Sequence, residues 1–375
     1  MVSEYMTDSP ILLAAGGTGG HLFPAYALAE ELGRRGRSVE LATDMRGDRY
    51  GSDFPAAKIH RINSATLKGR SPVAFAKTSL SLADGIRQAY GLIGTMQPAA
   101  VIGFGGYPCF PPLVAAKLRG IPTALHEQNA VLGRANRMLV RRVTAIATSF
   151  EDTHFLDAAD HDKVRLTGNP VRDIVIECAS TPYPHPPAPG SFERFHLLVF
   201  GGSQGARFFS ERVPLALAEL DEATRARLSV VQQCRDEDID AVRATYAEAG
   251  IEADCETFFK DLPRLIANSH LVIGRAGASS IAELTVIGRP SILVPLPHSL
   301  DNDQLRNATS LAESGGAICI AQDELTADRL RTDLTKIMSD PAMLIAAAAN
   351  AKSVGRPDAV ARLADLVEEL SGADN

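Results

Sequence analysis

The sequence predicts an α/β protein built from two Rossmann-like halves facing each other across a cleft. Three observations carry this reading. A hydrophobic strand runs into a double-glycine turn and then a helix at two places: Ile11 to Ala15 leads into Gly16-Gly17-Thr18-Gly19-Gly20-His21, and Phe195 to Phe200 leads into Gly201-Gly202-Ser203-Gln204-Gly205-Ala206. Short β-rich runs alternate with helical patterns in both halves, which argues for parallel sheets flanked by helices. The length of 375 residues exceeds what one hydrophobic core comfortably serves. Glycine permits the tight turn and lets backbone N–H groups approach a ligand, and the following helix points its partly positive end at a phosphate.

The elements follow in order. After the first turn, Pro24 suits an early helical position, with Ala25, Leu28, Ala29 and Leu32 on one face. Beyond Gly36 comes a strand at Val39 to Thr43, then strands at Ala100 to Gly103, Pro122 to His126 and Val143 to Thr148. Parallel crossovers are nearly always right-handed, so a doubly wound sheet is the economical topology. Residues 181–190 contain five prolines and are expected as an exposed loop near the domain junction. The second half restarts at Phe195, with strands near Ser229 to Gln233, Leu271 to Ile273, Ser291 to Val294 and Ala317 to Ile320. Pro357 to Leu370 reads as an amphipathic helix with Val360, Leu363, Leu366, Val367 and Leu370 apolar. The expected domains are 1–168 and 169–354, with 355–375 returning to the first.

Composition narrows the class. With 45% hydrophobic and 22% charged residues, the chain reads as an ordinary globular protein. No uninterrupted apolar stretch reaches membrane-spanning length, and the acidic start, Met1 to Asp8, lacks the basic region of a secretory leader. Five scattered cysteines point to a reducing compartment, the cytoplasm, and away from a disulfide framework or zinc site. The net charge of −7 is uneven: residues 1–170 hold 19 basic and 15 acidic residues, the remainder 19 and 30. A basic half beside an acidic half suggests that one end meets an anionic surface. The basic residues are not interleaved with stacking aromatics, so no nucleic-acid partner is expected.

Each motif has its own chemistry. Gly16 to His21 approaches a dinucleotide fingerprint, and Asp44 sits where a ribose-binding carboxylate would stand, but Leu22 occupies the third glycine position. No Gly-Lys-Ser/Thr follows either loop, which excludes a P-loop. His21, at the lip of the turn, is suited to take a proton from a sugar hydroxyl or to cap the helix. His126-Glu127-Gln128-Asn129 and Gly105-Gly106-Tyr107 close successive strands, where open α/β sheets bind ligands. In the second half, Gly274-Arg275-Ala276-Gly277-Ala278-Ser279-Ser280 leads into a helix carrying Glu283, which would take ribose hydroxyls or complement the helix dipole. Asp301-Asn302-Asp303 matches a short metal-binding pattern of sugar-nucleotide enzymes. No metal is expected there, because helix ends can neutralise phosphate charge.

Taken in order and spacing, these motifs, with Gly168-Asn169-Pro170-Val171-Arg172, resemble one family over almost the whole chain. It is the MurG family of UDP-N-acetylglucosamine:N-acetylmuramyl-(pentapeptide) pyrophosphoryl-undecaprenol N-acetylglucosamine transferases. The resemblance implies a GT-B glycosyltransferase that joins GlcNAc from UDP-GlcNAc to the muramyl 4-hydroxyl of lipid I, with inversion, giving lipid II and UDP. The N-terminal domain would take the lipid acceptor and the C-terminal domain the donor. Carried over by position, Glu283 would hold the ribose, the backbone near Phe259 would meet uracil, and Ser203 and Arg172 would contact the diphosphate. Ala278, Ser279 and Ser280 would line the nucleotide pocket, with Thr18, Gly19, Gly20 and Asn129 closing the site and Gln304 bonding GlcNAc hydroxyls. Many members carry Gln or His where this chain has Asp303, so the role of Asp303 is open, as is that of Tyr107 toward the acceptor.

The implied chemistry needs stabilisation of the departing diphosphate, for which a helix N-terminus and Arg172 are suited without a cofactor. It also needs a base for the acceptor hydroxyl, and His21 and Glu127 are both candidates. Rival readings are a UDP-GlcNAc 2-epimerase, a nucleotide-dependent dehydrogenase using Asp44, and a non-catalytic sugar-nucleotide-binding protein. Lipid I lives in the bilayer, so the resemblance implies peripheral docking on the cytoplasmic face of the bacterial inner membrane. The candidate surface is Leu67 to Leu82, with Leu67, Val73, Phe75, Leu80 and Leu82 apolar and Lys68, Arg70 and Lys77 around them.

Overall fold

The computed structural model describes residues 9–16, 19–44, 54–64, 72–202 and 207–372. The chain forms two compact units: Met1–Arg172 with Asp358–Asn375, and Asp173–Pro357. The first unit runs to Arg172, past the expected boundary at 168. Asn169, Pro170 and Val171 are buried, and the Arg172 guanidinium lies 4.9 Å from the ring centre of Phe23 in the same unit.

The sheet of the first unit contains β1 (Ile11–Ala14), β2 (Val39–Thr43), β3 (Lys58–Arg61), β4 (Ala100–Gly103), β5 (Thr123–Glu127), β6 (Ala145–Thr148) and β7 (Val164–Leu166). All pairings are parallel, in the spatial order β3-β2-β1-β4-β5-β6-β7. Every residue of β1 is fully buried, as expected where helices cover both faces of a parallel sheet. Ile11 and Leu13 pack with Leu22, Leu28, Leu363 and Val367 on one face, whereas Leu12 and Ala14 pack with Ile93, Leu113 and Leu139 on the other. The helix Ala359–Ser371 lies against the helix Gly19–Arg34. Their polar rim is tied by Arg35, whose Nη1 donates to Asp365 Oδ1 and Glu368 Oε2, each at 2.6 Å.

The second unit repeats the plan with β8 (Phe195–Phe200), β9 (Leu228–Gln233), β10 (Glu252–Glu256), β11 (Leu271–Gly274), β12 (Ser291–Leu293) and β13 (Ala317–Cys319). Its order is β10-β9-β8-β11-β12-β13, again all parallel. Phe195, Leu197 and Val199 anchor a core with Phe209, Val213, Leu217 and Tyr246. In each sheet the order reverses beside the first strand of the unit, between β1 and β4 and between β8 and β11. That switch point opens a crevice at the carboxyl ends of the strands.

Three strands were not expected from sequence: β3, β7 and β10. All are sheet edges with charged, largely unburied residues, so they lack a hydrophobic run. The proline-rich segment 181–190 has no helix or strand, but it is not a simple exposed loop. Pro186 and Pro187 are buried, and the Tyr183 hydroxyl donates to the His270 carbonyl at 2.7 Å.

Candidate active site

In the first unit the site forms at the β1/β4 switch point. The chain leaves β1 at Gly16, Gly17 and Thr18 lie outside the described residues, and the helix opens with Gly19 and Gly20. His21 therefore stands in the first helical turn. Its ring lies beneath Gly105 and Gly106: an added Cβ would sit 3.2 Å from His21 Cε1 at Gly105 and 3.4 Å from Nε2 at Gly106. Both glycines have positive φ, 89° and 70°, so conformation and close approach together demand glycine. Tyr107 follows in a short 3₁₀ turn and is half-buried.

Glu127 is the last residue of β5, still in the strand, and is 2% exposed. Its Oε1 accepts from the Asn129 backbone N–H at 3.1 Å and from Asn129 Nδ2 at 3.3 Å. Its Oε2 accepts from the Gly133 N–H and from Asn136 Nδ2, both at 2.8 Å. Burial pushes the carboxyl above its usual range, and the N–H groups of Gly133, Asn129 and Asn136 pull against that rise. Asn129 thus gives its backbone N–H and one side-chain N–H to the carboxylate. The segment 128–136, which runs into the helix Arg134–Leu139, is wound around Glu127.

Next to it stands Gln128, which the sequence placed in the motif but gave no role of its own. This side chain is 1% exposed and lies between two histidines. Gln128 Oε1 is 2.9 Å from His21 Nδ1, and Gln128 Nε2 is 2.8 Å from His126 Nδ1 and donates to the His126 carbonyl at 2.9 Å. His126 Nε2 in turn lies 3.0 Å from the Gly168 carbonyl. Burial holds the His126 pKa down to about 4, so this imidazole is neutral at ordinary pH.

In the second unit the corresponding crevice lies between β8 and β11. Gly201 N–H donates to Gln233 Oε1 at 3.2 Å, and Gly202 takes φ 79°, which shapes the turn after β8; Ser203 lies outside the described residues. After β11, Gly277 caps the helix Ala278–Ile287, whose first turn is Ala278, Ser279 and Ser280. Ser279 Oγ is buried without a hydrogen-bond partner among the described residues. Glu283 is buried on the same helix, 7% exposed. Arg275, for all its place in the motif, turns inward: its guanidinium donates to the Val294 and Pro295 carbonyls and to Gln322 Oε1, and burial lowers its pKa to about 10.

Phe259 is half-buried in the loop after β10. Gln304 lies at the start of the helix Asp303–Glu313, which follows β12. The Leu296 N–H donates to Gln304 Oε1 at 3.0 Å, which orients the amide and leaves its NH₂ end to donate. Asp303 Oδ1 accepts the Gln304 backbone N–H at 2.7 Å. The approach to this helix contains His298, Asp301 and Asn302 at φ 58°, 55° and 57°, strained values for non-glycine residues. The described candidates of the second unit therefore line the carboxyl edge of its sheet, from the loop after β10 to the loop after β12. Among the described residues no three His, Cys, Asp or Glu side chains gather as a metal site.

Both units match family models. Residues 11–148 match the glycosyltransferase family 28 N-terminal domain and residues 196–363 the glycosyltransferase family 28 C-terminal domain. A relative from Chelativorans sp. (strain BNC1), named UDP-N-acetylglucosamine--N-acetylmuramyl-(pentapeptide) pyrophosphoryl-undecaprenol N-acetylglucosamine transferase, is 53% identical over 98% of this chain and 97% of its own. The chain belongs to the MurG family. A relative of the same name from Rhodopseudomonas palustris (strain ATCC BAA-98 / CGA009) is 52% identical over 98% of this chain and the whole of its own. The MurG fold extends across both units: the crystal structure of Acinetobacter baumannii MurG is 28% identical, with a TM-score of 0.78 over 96% of this chain and 99% of that one. A kitacinnamycin glycosyltransferase, 18% identical with a TM-score of 0.70 over 97% of this chain and 99% of that one, shares the fold. The architecture is that of a GT-B glycosyltransferase. MurG membership displaces the epimerase and dehydrogenase readings, and Asp44, buried beside Gly16, needs no cofactor ribose to explain it.

Proposed function

We propose that this chain transfers GlcNAc from UDP-GlcNAc to the muramyl 4-hydroxyl of lipid I, with inversion, giving lipid II and UDP for peptidoglycan synthesis. The observation that carries the reading is 53% identity to a transferase of that name over nearly both full lengths. In the chemical step the acceptor oxygen bonds to the anomeric carbon, the bond to the diphosphate breaks, and the hydroxyl proton needs a base. His21 fits that task better than Glu127. Both Glu127 oxygens already accept N–H groups, whereas the His21 Nε2 edge faces the glycine turn at the mouth of the crevice. In the donor unit, Glu283 takes the ribose hydroxyls, the Phe259 backbone meets uracil, and Ala278 to Ser280 present a helix N-terminus to the phosphates. Arg172 adds a guanidinium for the leaving diphosphate, and the Gln304 NH₂ bonds a GlcNAc hydroxyl.

Among the described residues no helix is long and apolar enough to cross a membrane. We infer peripheral docking on the cytoplasmic face of the inner membrane through the segment 67–82. Residues 67–71 and the side chains of 72–77 lie outside the described residues, but Leu80, on the helix Pro72–Met96, is 73% exposed, as a lipid-facing side chain requires. Binding to anionic vesicles that falls with salt and with Lys68/Arg70/Lys77→Glu supports this surface. Equal binding of parent and variant moves it elsewhere.

The function is tested by lipid-I-dependent release of UDP. His21→Ala is expected to lower kcat by about 10²–10⁴ with UDP affinity unchanged. A variant with near-normal kcat returns His21 to a helix-capping role and makes Glu127 the base.

A further inference from the structure

We propose that Gln128 is a positioning residue for this reaction: its side-chain amide locks His21 in the tautomer that carries its proton on Nδ1 and its lone pair on Nε2. The proposal rests on the reading of His21 as the base and adds the element that makes its outward nitrogen basic.

The argument runs from groups whose roles cannot be exchanged. A backbone carbonyl only accepts, so the end of the Gln128 amide 2.9 Å from the His126 carbonyl must be the NH₂. The other end, 2.9 Å from His21 Nδ1, is then the amide oxygen, which also only accepts. His21 Nδ1 must therefore hold a hydrogen. In a neutral imidazole that leaves the lone pair on Nε2, the nitrogen on the Gly106 side. The far side of the chain agrees. Gln128 Nε2 donates to His126 Nδ1 at 2.8 Å, so His126 carries its hydrogen on Nε2 and donates it to the Gly168 carbonyl at 3.0 Å.

Two main-chain carbonyls thus fix the direction of every hydrogen bond from Gly168 to His21. His126 and Gln128 are 0% and 1% exposed, so water does not compete for these groups. The low His126 pKa keeps that ring neutral and the donor pattern intact across the working pH range. A histidine side chain in water prefers the opposite tautomer, with the hydrogen on Nε2. Without Gln128, most neutral His21 rings would present a hydrogen where the acceptor proton has to go.

The test uses full-length protein labelled with ¹⁵N-histidine, with His21 assigned by loss of its signals in His21→Ala. The parent is expected to show a protonated Nδ1 and an unprotonated Nε2 in the neutral ring. A parent spectrum with the hydrogen on Nε2 overturns the proposal without any variant at Gln128. Gln128→Met keeps length and volume but removes the acceptor. It is expected to move the His21 hydrogen toward Nε2 and to lower kcat by about 10-fold or more, within the range a general base supplies, with UDP affinity and the KM for lipid I little changed. Adding Gln128→Met to His21→Ala should then cost no further kcat. A tautomer shift without loss of kcat, or a loss of kcat without a tautomer shift, overturns the positioning role. If His21→Ala itself keeps normal kcat, the base assignment fails while the parent spectrum still reports on Gln128.

Discussion

Glu127→Gln separates an anchor from a base, because the carboxylate meets four N–H groups. A glutamine can keep its oxygen on the Gly133 and Asn136 donors, both at 2.8 Å, only by turning its NH₂ against the two Asn129 donors at 3.1 and 3.3 Å. Two opposed donors cost about 1–3 kcal/mol each, and the surviving pair loses its charge assistance. A neutral amide is cheaper to bury than a carboxylate, which offsets part of this and leaves a net loss of about 2–4 kcal/mol. Urea unfolding followed by far-UV circular dichroism suits a chain with no tryptophan, and hydrogen exchange over 127–137 assigns the change to the first unit. With a slope of about 1–3 kcal/mol per molar urea, the midpoint is expected to fall by roughly 1 M or more. An unchanged midpoint together with a kcat reduced about 100-fold would refute this reasoning and make Glu127 the proton acceptor.

Glu283→Ala is expected to raise the UDP dissociation constant by at least about tenfold, since a buried carboxylate makes charge-assisted bonds to ribose; unchanged affinity by calorimetry removes it from the ribose site. His126 titrates at 6.5 when unfolded and at about 4 in the fold, so its contribution is complete above pH 6.5 and is lost as pH falls toward 4. That shift is worth about 3 kcal/mol, and the stability gap between the parent and His126→Gln should shrink over this window; a constant gap contradicts it. Turnover is expected to persist in excess EDTA, because Asp303 serves the Gln304 N–H and the helix N-terminus at Ala278 supplies positive potential. Loss on chelation with recovery in magnesium would restore Asp301 and Asp303 as a metal site.

The central strands were legible in the sequence because they are buried on both faces and read as unbroken apolar runs, as Ile11 to Ala14 does. The edge strand Lys58–Arg61 was not, since its pairing follows from β2 beside it and not from its own residues. The glycine turns marked both crevices, yet which polar residue does what there was hidden. Gln128 takes its orientation from a network that ends at Gly168, and Arg275 finds a partner in Gln322, contacts that sequence spacing does not reveal. Sequence offered Glu127 and His21 alike as a base and gave no sign of the four N–H donors that surround Glu127.

The excursion of the chain through the second unit sets the order in which the two units become complete in sequence. The segment Asp173–Pro357 is continuous, so a nascent chain holds all of that unit before it holds all of the other. The unit made first waits for Asp358–Asn375, which brings Leu363, Leu366 and Val367 to its apolar face and the acidic partners of Arg35 to its rim. The unit that begins the chain is thus the last to be complete in sequence. A chain truncated after Pro357 would carry every residue of the second unit and leave the helix Gly19–Arg34 of the first without its partner Ala359–Ser371.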